Sequence, residues 1–517
     1  AQAGGEAQGR SHARRATMEP EAKKPRVGGG PLDMLASGLL TPTVHYAEMH
    51  GLLYAAKEPG DDPSLATQCP VAMLPFKVPA PAFNEAVAMS PLWNRLTDAV
   101  ARDLPWLYST LEQAAQADPF VAKLIEVCKD VHSKGLKQNT YLGIHRSDYM
   151  LHEPEGSAAQ PLFLQVELNT IASSMGSHAS NTAKLHRFLL GRYGTAQGAE
   201  GAALRQHFGS DLSPKDLEAR LPANASLSAV PAAMAKAHEV YGVKDAVVLM
   251  VASADERNFA DQRFLEYALW ENHGVPMVRK SLTELHQEAK LDEATGRLRL
   301  AGGLEVSVVY FRSGYGPECY PTQAEWDART MLETSLAIKC PSVAYQLVGA
   351  KKVQQALARP GAVERFLGAA DGEKLRHCFA GLWGLGVGED DSAVIRECLA
   401  APAGYVLKPQ REGGGHNYYG EGAAAQLRKM STEERSAYIL MQRILPKAQP
   451  SVLTREGAAT VTPGLSEFGF YSVFVGNGSK VHFNEHAGHL VRTKGEGVDE
   501  GGVAAGYAVI SSPFLVD

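Results

Sequence analysis

Residues 405–420, YVLKPQREGGGHNYYG, constrain the fold more than any other stretch of the chain. Three consecutive glycines, Gly413–Gly415, cannot sit inside a helix without an entropic cost of roughly 1 kcal/mol each relative to alanine. The run Gly404–Lys408 before them is apolar and β-prone. The chain is therefore predicted to leave a strand and enter a loop whose backbone N–H groups can cradle an anion. Lys408 adds a compact positive charge, and Glu412 can hold a cation that bridges phosphates. GxxxxGK[ST] is absent, so this is no Walker A loop. No GxGxxG runs from strand to helix, so a dinucleotide-binding fold has no support. On these residues alone, a phosphate-covering loop and a plain surface loop both stay open.

The segment PLFLQVELNT reads as a strand, Leu162–Asn169. Strict alternation predicts Gln165, Glu167 and Asn169 on one face and Leu164, Val166 and Leu168 on the other. A carboxylate beside a carboxamide offers the hard oxygen ligands that Mg²⁺ takes; an ordinary half-exposed strand is the other reading. In NEHAGHLVRTKGEGVDEGGVAAG, Arg492 and Lys494 are two apart and share a side of an extended segment. The glycine-rich stretch Lys494–Gly506 could close over anions and exclude water. His486 and His489 resemble a metal pair at i, i+3, but with no third ligand nearby they are read as structural.

With 517 residues, the chain exceeds one ordinary core, which stops growing near roughly 250–300 residues. Its 45% apolar and 21% charged residues fit a soluble globular protein, and a net charge of −6 argues against a general nucleic-acid binder. Cys69, Cys128, Cys319, Cys340, Cys378 and Cys398 are scattered without a CxxC pair, which disfavours zinc and suits a reducing compartment. The longest apolar run, Ala246–Ala252, falls short of the roughly 18 residues that span a bilayer. Ala1–Gly30 carries six Lys or Arg side chains and no aromatic, and it is expected to be a disordered tail. Its arginines suit an organelle-targeting remnant, although Glu6, Glu19 and Glu21 do not; Lys23–Arg26 is only a weak nuclear signal. A start at Ala1 rather than methionine is compatible with a fragment or a processed chain.

Apolar spacing predicts a helix at Pro91–Gln116, interrupted at Pro105. Arg192–Ser228 lacks such spacing and reads as a long surface connection. A βαβ-like series follows: strand Asp245–Ala252, helix Asp261–Asn272, and strands Val275–Val278 and Val306–Phe311. A last helix opens with a capping box, Thr322 to Glu325, and runs to Cys340–Pro341. Next come a helix near Leu347–Ala358 and strands at Gly404–Lys408, Gly469–Val475 and Lys480–Asn484. The expected class is α/β or α+β. Its units are the tail 1–30, a core at 31–242, an inserted α/β lobe at 243–345, and a second part of the core at 346–517.

QVELNTIASSMGSHAS, IHRSDYM, IKCPSVAYQLVGAKKVQQ, VLKPQREGGGHNYYG and HAGHLVRTK…DEGGVAAG resemble, in unbroken order, signature segments of the eukaryotic glutathione synthetases. The resemblance runs from Thr43 to Asp517 and leaves out only the tail. It implies an ATP-grasp fold with a glycine-rich lid, a homodimer, and Mg²⁺ and ATP as cofactor and co-substrate. The implied reaction joins γ-glutamylcysteine and glycine into glutathione, with release of ADP and phosphate. An acyl phosphate forms first on the cysteinyl carboxylate, and the glycine amine then attacks it. A carboxylate is a poor electrophile, so its oxygen must be made a leaving group. ATP and that carboxylate repel each other unless cations offset their charge.

The resemblance assigns Mg²⁺ to Glu167, Asn169 and Glu412, and catalysis to Arg146, Lys408 and Arg492. It assigns ATP to Glu167, Lys351, Lys408, Pro409, Gln410, Arg411, Glu412, Gly413, Gly414, Gly415, His416 and Asn417. The ATP set continues with Tyr419, Met441, Gln442, Arg443, Ile444, Glu467, Lys494 and Glu500. Met441–Ile444 suits adenine, with backbone groups reading its rim. γ-Glutamylcysteine falls to Arg146, Ile171, Ala172, Ser173, Ser174, Glu256, Asn258, Gln262, Arg312, Ser313, Gly314, Tyr315 and Arg492. Arg146 and Arg492 suit bidentate recognition of carboxylates. Val503 and Ala504 belong to the closing loop. Ala172, His416 and Glu500 depart from the common serine, asparagine and aspartate. The small Val503–Ala504 pair favours glycine over the β-alanine of homoglutathione synthetases, which carry Leu-Pro there. An inactive binding protein on the same fold is the remaining alternative. The compartment implied is the cytoplasm, with the plastid as the alternative that the basic tail offers.

Overall fold

The computed structural model describes residues 30–55, 65–154, 156, 160–389, 391–410, 417–498, 501–503 and 506–517. Apart from Gly30, the expected tail lies outside them. A seven-stranded sheet runs in the order Gln449–Arg455, Val71–Ala72, Val509–Ser511, Val481–Gly495, Ala458–Gly476, Tyr141–His152, Leu162–Asn169. Gln449–Arg455 also pairs with the start of Ala458–Gly476, so the first five strands in that order close into a ring.

One face of this sheet packs Tyr149, Phe468, Phe470 and Phe474 against the helices Ala80–Arg102, Pro119–Ser133 and Val343–Val348. The other face presents Ile144, Tyr471 and Val473 to the helices Gly176–Tyr193 and Ser226–Tyr241. Side chains alternate along a strand, so Glu467 lies on the same face as Tyr471. There, with Arg492 opposite it, the sheet becomes the floor of a cleft.

Residues 247–340 form a second, parallel sheet ordered Ile338–Cys340, Val306–Phe311, Val247–Val251, Met277–Lys280. Val247–Val251 and Val306–Phe311 are buried throughout, as continuous apolar runs in a parallel sheet should be. Chain order reverses between these two strands, which opens a crevice beyond their carboxyl ends. A third, antiparallel sheet is ordered Leu382–Gly384, Tyr438–Gln442, Tyr405–Pro409, Tyr418–Tyr419. It packs on the helices Ser392–Ala400 and Glu421–Lys429. The class is mixed α/β, as expected.

Several expectations need correction. The helix set at Pro91–Gln116 is two, Ala80–Arg102 and Leu104–Ala117, with Pro91 inside the first. The break does fall before Pro105, where Asp103 accepts from Trp106 N at 3.2 Å. Arg192–Ser228 is no long connection. It holds the helices Ala199–Phe208 and Pro214–Arg220 and the start of Ser226–Tyr241. Gly209 and Ser213 are caps there, and caps use the same residue types as loops, which hid the short helices. The helix Gln323–Thr334 has the expected capping box but stops before the strand Ile338–Cys340. The helix near Leu347–Ala358 is two, Val343–Val348 and Lys351–Ala358. Ala458–Gly476 and Val481–Gly495 are 19 and 15 residues long, far longer than read, because pairing carries polar residues and glycines that local propensity disfavours. The strand expected at Val275–Val278 is Met277–Lys280. Among the described residues, no helix is long and apolar enough to cross a membrane.

Candidate active site

Three adjacent strands build the cleft floor in rows. Antiparallel register sets Asn169, Arg146 and Tyr471 side by side, and beside them Glu167, Asp148 and Gly469. The strand Leu162–Asn169 is where predicted, but its alternation is not. A bulge opposite Asp148 and Tyr149 leaves Val166 outside the ladder. Gln165 is thereby turned to the helix side, where it donates to Ser147 Oγ at 2.6 Å and accepts from Gln354 at 3.0 Å. Val166, Glu167 and Asn169 all line the cleft. The carbonyl of the bulged Val166 accepts from Lys408 Nζ at 3.0 Å, tying the third sheet to the floor.

The cleft, of about 570 Å³, is lined along its middle by Arg146, Glu167, Asn169, Lys408, Glu467, Arg492 and Lys494. Lys351 is not in the lining, but its Nζ lies 3.7 Å from Glu167 Oε2. Burial would raise the Glu167 carboxyl; Lys351, then Lys408, Arg492 and Arg146, outweigh it and hold it at about 2. Glu467 behaves differently. Burial pushes its carboxyl up; the Arg492 guanidinium that it pairs with opposes this, and the Asp148 and Glu167 carboxylates add to it. Arg146 is buried, and Asp148 keeps it firmly charged against that burial.

At one end, Met150, Val166, Met441 and Ile444 form an apolar slot. The Gln442 and Arg443 amides donate to the carbonyls of Gly381 and Gly404. Those two amides are therefore already committed within the protein. Asn417, Tyr419, Gln442 and Arg443 complete this wall.

At the other end, the cleft reaches the crevice of the parallel sheet. Glu256 and Asn258 follow one central strand, and Arg312 and Tyr315 follow the other; all four line the cleft. Ile171, Ala172 and Ser174 face them. Ala172 and Met175 hold left-handed φ values of 51° and 76°, a strained backbone for non-glycine residues. Asp261 holds this turn by accepting from the Met175 and Ser177 amides, each at 2.9 Å. Its carboxylate also takes Arg312 Nη2 at 2.9 Å. Gly314 has φ +98°, and a Cβ there would stand 2.8 Å from the Tyr320 hydroxyl, so only glycine fits.

Some expected contacts do other work. Ser173, Gln262, Ser313, Gly314, Pro409 and Gln410 do not line the cleft. Gln410 accepts from the Lys352 amide at 2.9 Å and so anchors the helix that carries Lys351. Gln262 donates to Glu256 at 2.8 Å, and Ser173 to the Asn169 carbonyl at 3.3 Å. Asp148 occupies the Nε and Nη2 side of Arg146 and the Ser174 carbonyl accepts from Nη1 at 3.2 Å, so a bidentate partner is left one N–H on each of Nη1 and Nη2. Val503 is buried on the cleft wall. Arg411, Glu412, Gly413, Gly414, Gly415, His416, Glu500 and Ala504 lie outside the described residues. Asp148 and Asp261 were missed by sequence reasoning. Asp148 had one signal, a position two residues after Arg146 on a strand. His486 and His489 are structural as read: His486 pairs with Ser90 Oγ at 3.1 Å, and His489 packs edge-on against Phe83.

Comparison with known proteins agrees with this geometry. The family model described as eukaryotic glutathione synthase, ATP binding domain, matches residues 34–515. The chloroplastic glutathione synthetase of Solanum lycopersicum is 40% identical over 97% of this chain and 88% of its own length. The glutathione synthetase of Dictyostelium discoideum is 39% identical over 87% of this chain and 92% of its own, and that of Homo sapiens 37% over 92% and 96%. A glutathione synthetase-like effector from Globodera pallida shares the fold, with a TM-score of 0.73 at 21% identity, covering 95% of this chain and 99% of that one. The chain belongs to the eukaryotic glutathione synthase family and has its ATP-grasp fold.

Proposed function

We propose that this chain, an ATP-dependent ligase, joins γ-L-glutamyl-L-cysteine and glycine into glutathione through an acyl phosphate, releasing ADP and phosphate. The observation that carries this reading is one cleft with three chemically distinct parts: an apolar slot, a charged middle and the crevice of a parallel sheet. Adenine suits the slot. Lys408 and Lys351 stand where phosphates would lie, and the dipeptide suits the crevice with Arg312 and Tyr315.

Mg²⁺ fits the donor set. The Glu167 carboxyl is held ionised. The Asn169 amide nitrogen is committed to Asp148 at 3.0 Å and to the Arg146 carbonyl at 3.3 Å, which leaves its oxygen as the group to offer a cation. Glu412 is the proposed third ligand. One or two carboxylates completed by substrate phosphates is how Mg²⁺ is commonly held. When bound, the ion offsets phosphate charge. Arg146 and Arg492 orient the cysteinyl carboxylate and offset its charge as it attacks the terminal phosphorus, and Lys408 steadies the transferred group. Closure over the cleft keeps water from the acyl phosphate until the glycine amine displaces phosphate.

Val503 and Ala504 favour glycine as acceptor. The family resemblance supports a homodimer, which sedimentation would test. The relatives named as chloroplastic, with the basic tail, support a plastid beside the cytoplasm. The direct test incubates the protein with Mg²⁺-ATP, γ-glutamylcysteine, and glycine or β-alanine. ADP release that needs both partners, with glutathione as product and glycine preferred, is expected. Binding of γ-glutamylcysteine without ADP release refutes the reading, and faster turnover with β-alanine refutes the choice of glycine.

A further inference from the structure

One heavily bonded side chain in the floor has no substrate role that accounts for it. Asp148 is wholly buried. It accepts from Arg146 Nε at 2.6 Å and Nη2 at 2.8 Å, from Arg492 Nη2 at 2.9 Å and from Asn169 Nδ2 at 3.0 Å. These donors come from three strands, Tyr141–His152, Val481–Gly495 and Leu162–Asn169. Each belongs to a residue proposed above to meet the cysteinyl carboxylate or Mg²⁺. Ionised, a carboxylate offers about four lone-pair sites, which four such donors fill. The space is also built for it. Gly469 faces Asp148 across the sheet, and a Cβ there would stand 2.7 Å from both Asp148 Oδ1 and Arg146 Cδ.

We propose that Asp148 is a positioning residue. It fixes the outward Nη1–Nη2 edge of Arg146, the reach of Arg492 and the oxygen of Asn169 relative to one another, and so couples carboxylate recognition to metal binding. The inference rests on the proposed ligase reading. Its chemistry is local: the carboxylate fills one side of the Arg146 fork and the Ser174 carbonyl takes one Nη1 N–H, so substrate can meet only the remaining N–H on each of Nη1 and Nη2. By holding the Asn169 NH₂ group, it turns the amide oxygen away from itself.

Asp148→Asn keeps the size but sets an NH₂ group against guanidinium donors. Its kinetics are compared with wild type by varying γ-glutamylcysteine, ATP and Mg²⁺ in turn, with thermal melting alongside. Expected is a fall of about 10–100-fold in kcat/KM for γ-glutamylcysteine and a higher Mg²⁺ half-saturation, with KM for adenine nucleotide little changed. A purely structural role would lower the melting midpoint and the amount of active protein while leaving each KM in place. Gly469→Ala keeps every bonding group and crowds the same carboxylate; a several-fold rise in KM for γ-glutamylcysteine is expected. A folded Asp148→Asn protein with wild-type KM values overturns the inference. If that variant does not fold, a folded Gly469→Ala protein with unchanged KM does so. Wild-type protein that never turns over overturns the ligase reading instead, so the two failures are distinct.

Discussion

Glu167 and Asp261 show how a single carboxylate acts in this molecule. Glu167 is ionised because four cations outweigh its burial, which suits a group that faces a metal and phosphates. Glu167→Gln keeps the shape and removes the charge. Turnover should fall by about 10²–10³, the usual cost of deleting one electrostatic contact to the reacting groups; steady-state ADP release within threefold of wild type would contradict the assignment. Asp261 has a different task. It neutralises the buried Arg312 and bonds two amides of the strained turn at Met175. Asp261→Ala strands a buried guanidinium and should cost about 3–5 kcal/mol in urea unfolding. A loss below about 1 kcal/mol would show that Arg312 finds another partner.

At the scale of elements, the site lies where strands end. Gly314 follows the strand Val306–Phe311, and its carbonyl accepts from Gln346 at 2.9 Å and the Tyr320 hydroxyl at 3.3 Å. Gly314→Ala should destabilise the protein by at least about 1–2 kcal/mol, the penalty of a left-handed backbone with a Cβ, because the crowded Tyr320 hydroxyl must shift as well. It should also raise KM for γ-glutamylcysteine, because Arg312 and Tyr315 flank it; an unchanged KM with an unchanged melting midpoint would contradict this. Such ends were partly legible in the sequence. The apolar strands of the parallel sheet announced themselves, since burial on both faces leaves no alternation to misread. The lysine at the end of Tyr405–Pro409 was legible through the glycines after it. The bulge at Val166 was not, because the pairing register with the preceding strand Tyr141–His152 sets it, and nothing in the alternation of Leu162–Asn169 itself marks it. The roles of Asp148 and Asp261 were hidden for the same reason: a buried counter-ion is defined by what folds around it. Short helices between Arg192 and Ser228 were hidden by caps that look like loops.

Across the whole molecule, buried histidines set the acid limit. His145, His186 and His489 are fully buried, which pushes them down to about 3, about 4 and about 3. An unfolded histidine titrates near about 6.5. Below that pH the unfolded chain binds protons that the folded chain refuses, so stability is present above about 6.5 and is lost as pH falls toward about 3. Each histidine contributes at most about 1.4 kcal/mol per pH unit. Glu467, pushed up by burial, works the other way, but it is one group against three. The thermal midpoint should be lower at pH 5 than at pH 7; an equal or higher midpoint would contradict this. The larger claim is that three sheets enclose one cleft in which a carboxylate is activated by phosphoryl transfer. The most direct measurement supplies γ-glutamylcysteine labelled with ¹⁸O in the cysteinyl carboxylate, with glycine and Mg²⁺-ATP, and follows the released phosphate by mass. One labelled oxygen in each phosphate is predicted, because the carboxylate oxygen becomes the bridge of the acyl phosphate and leaves with phosphorus. Glutathione formed with unlabelled phosphate would contradict the account.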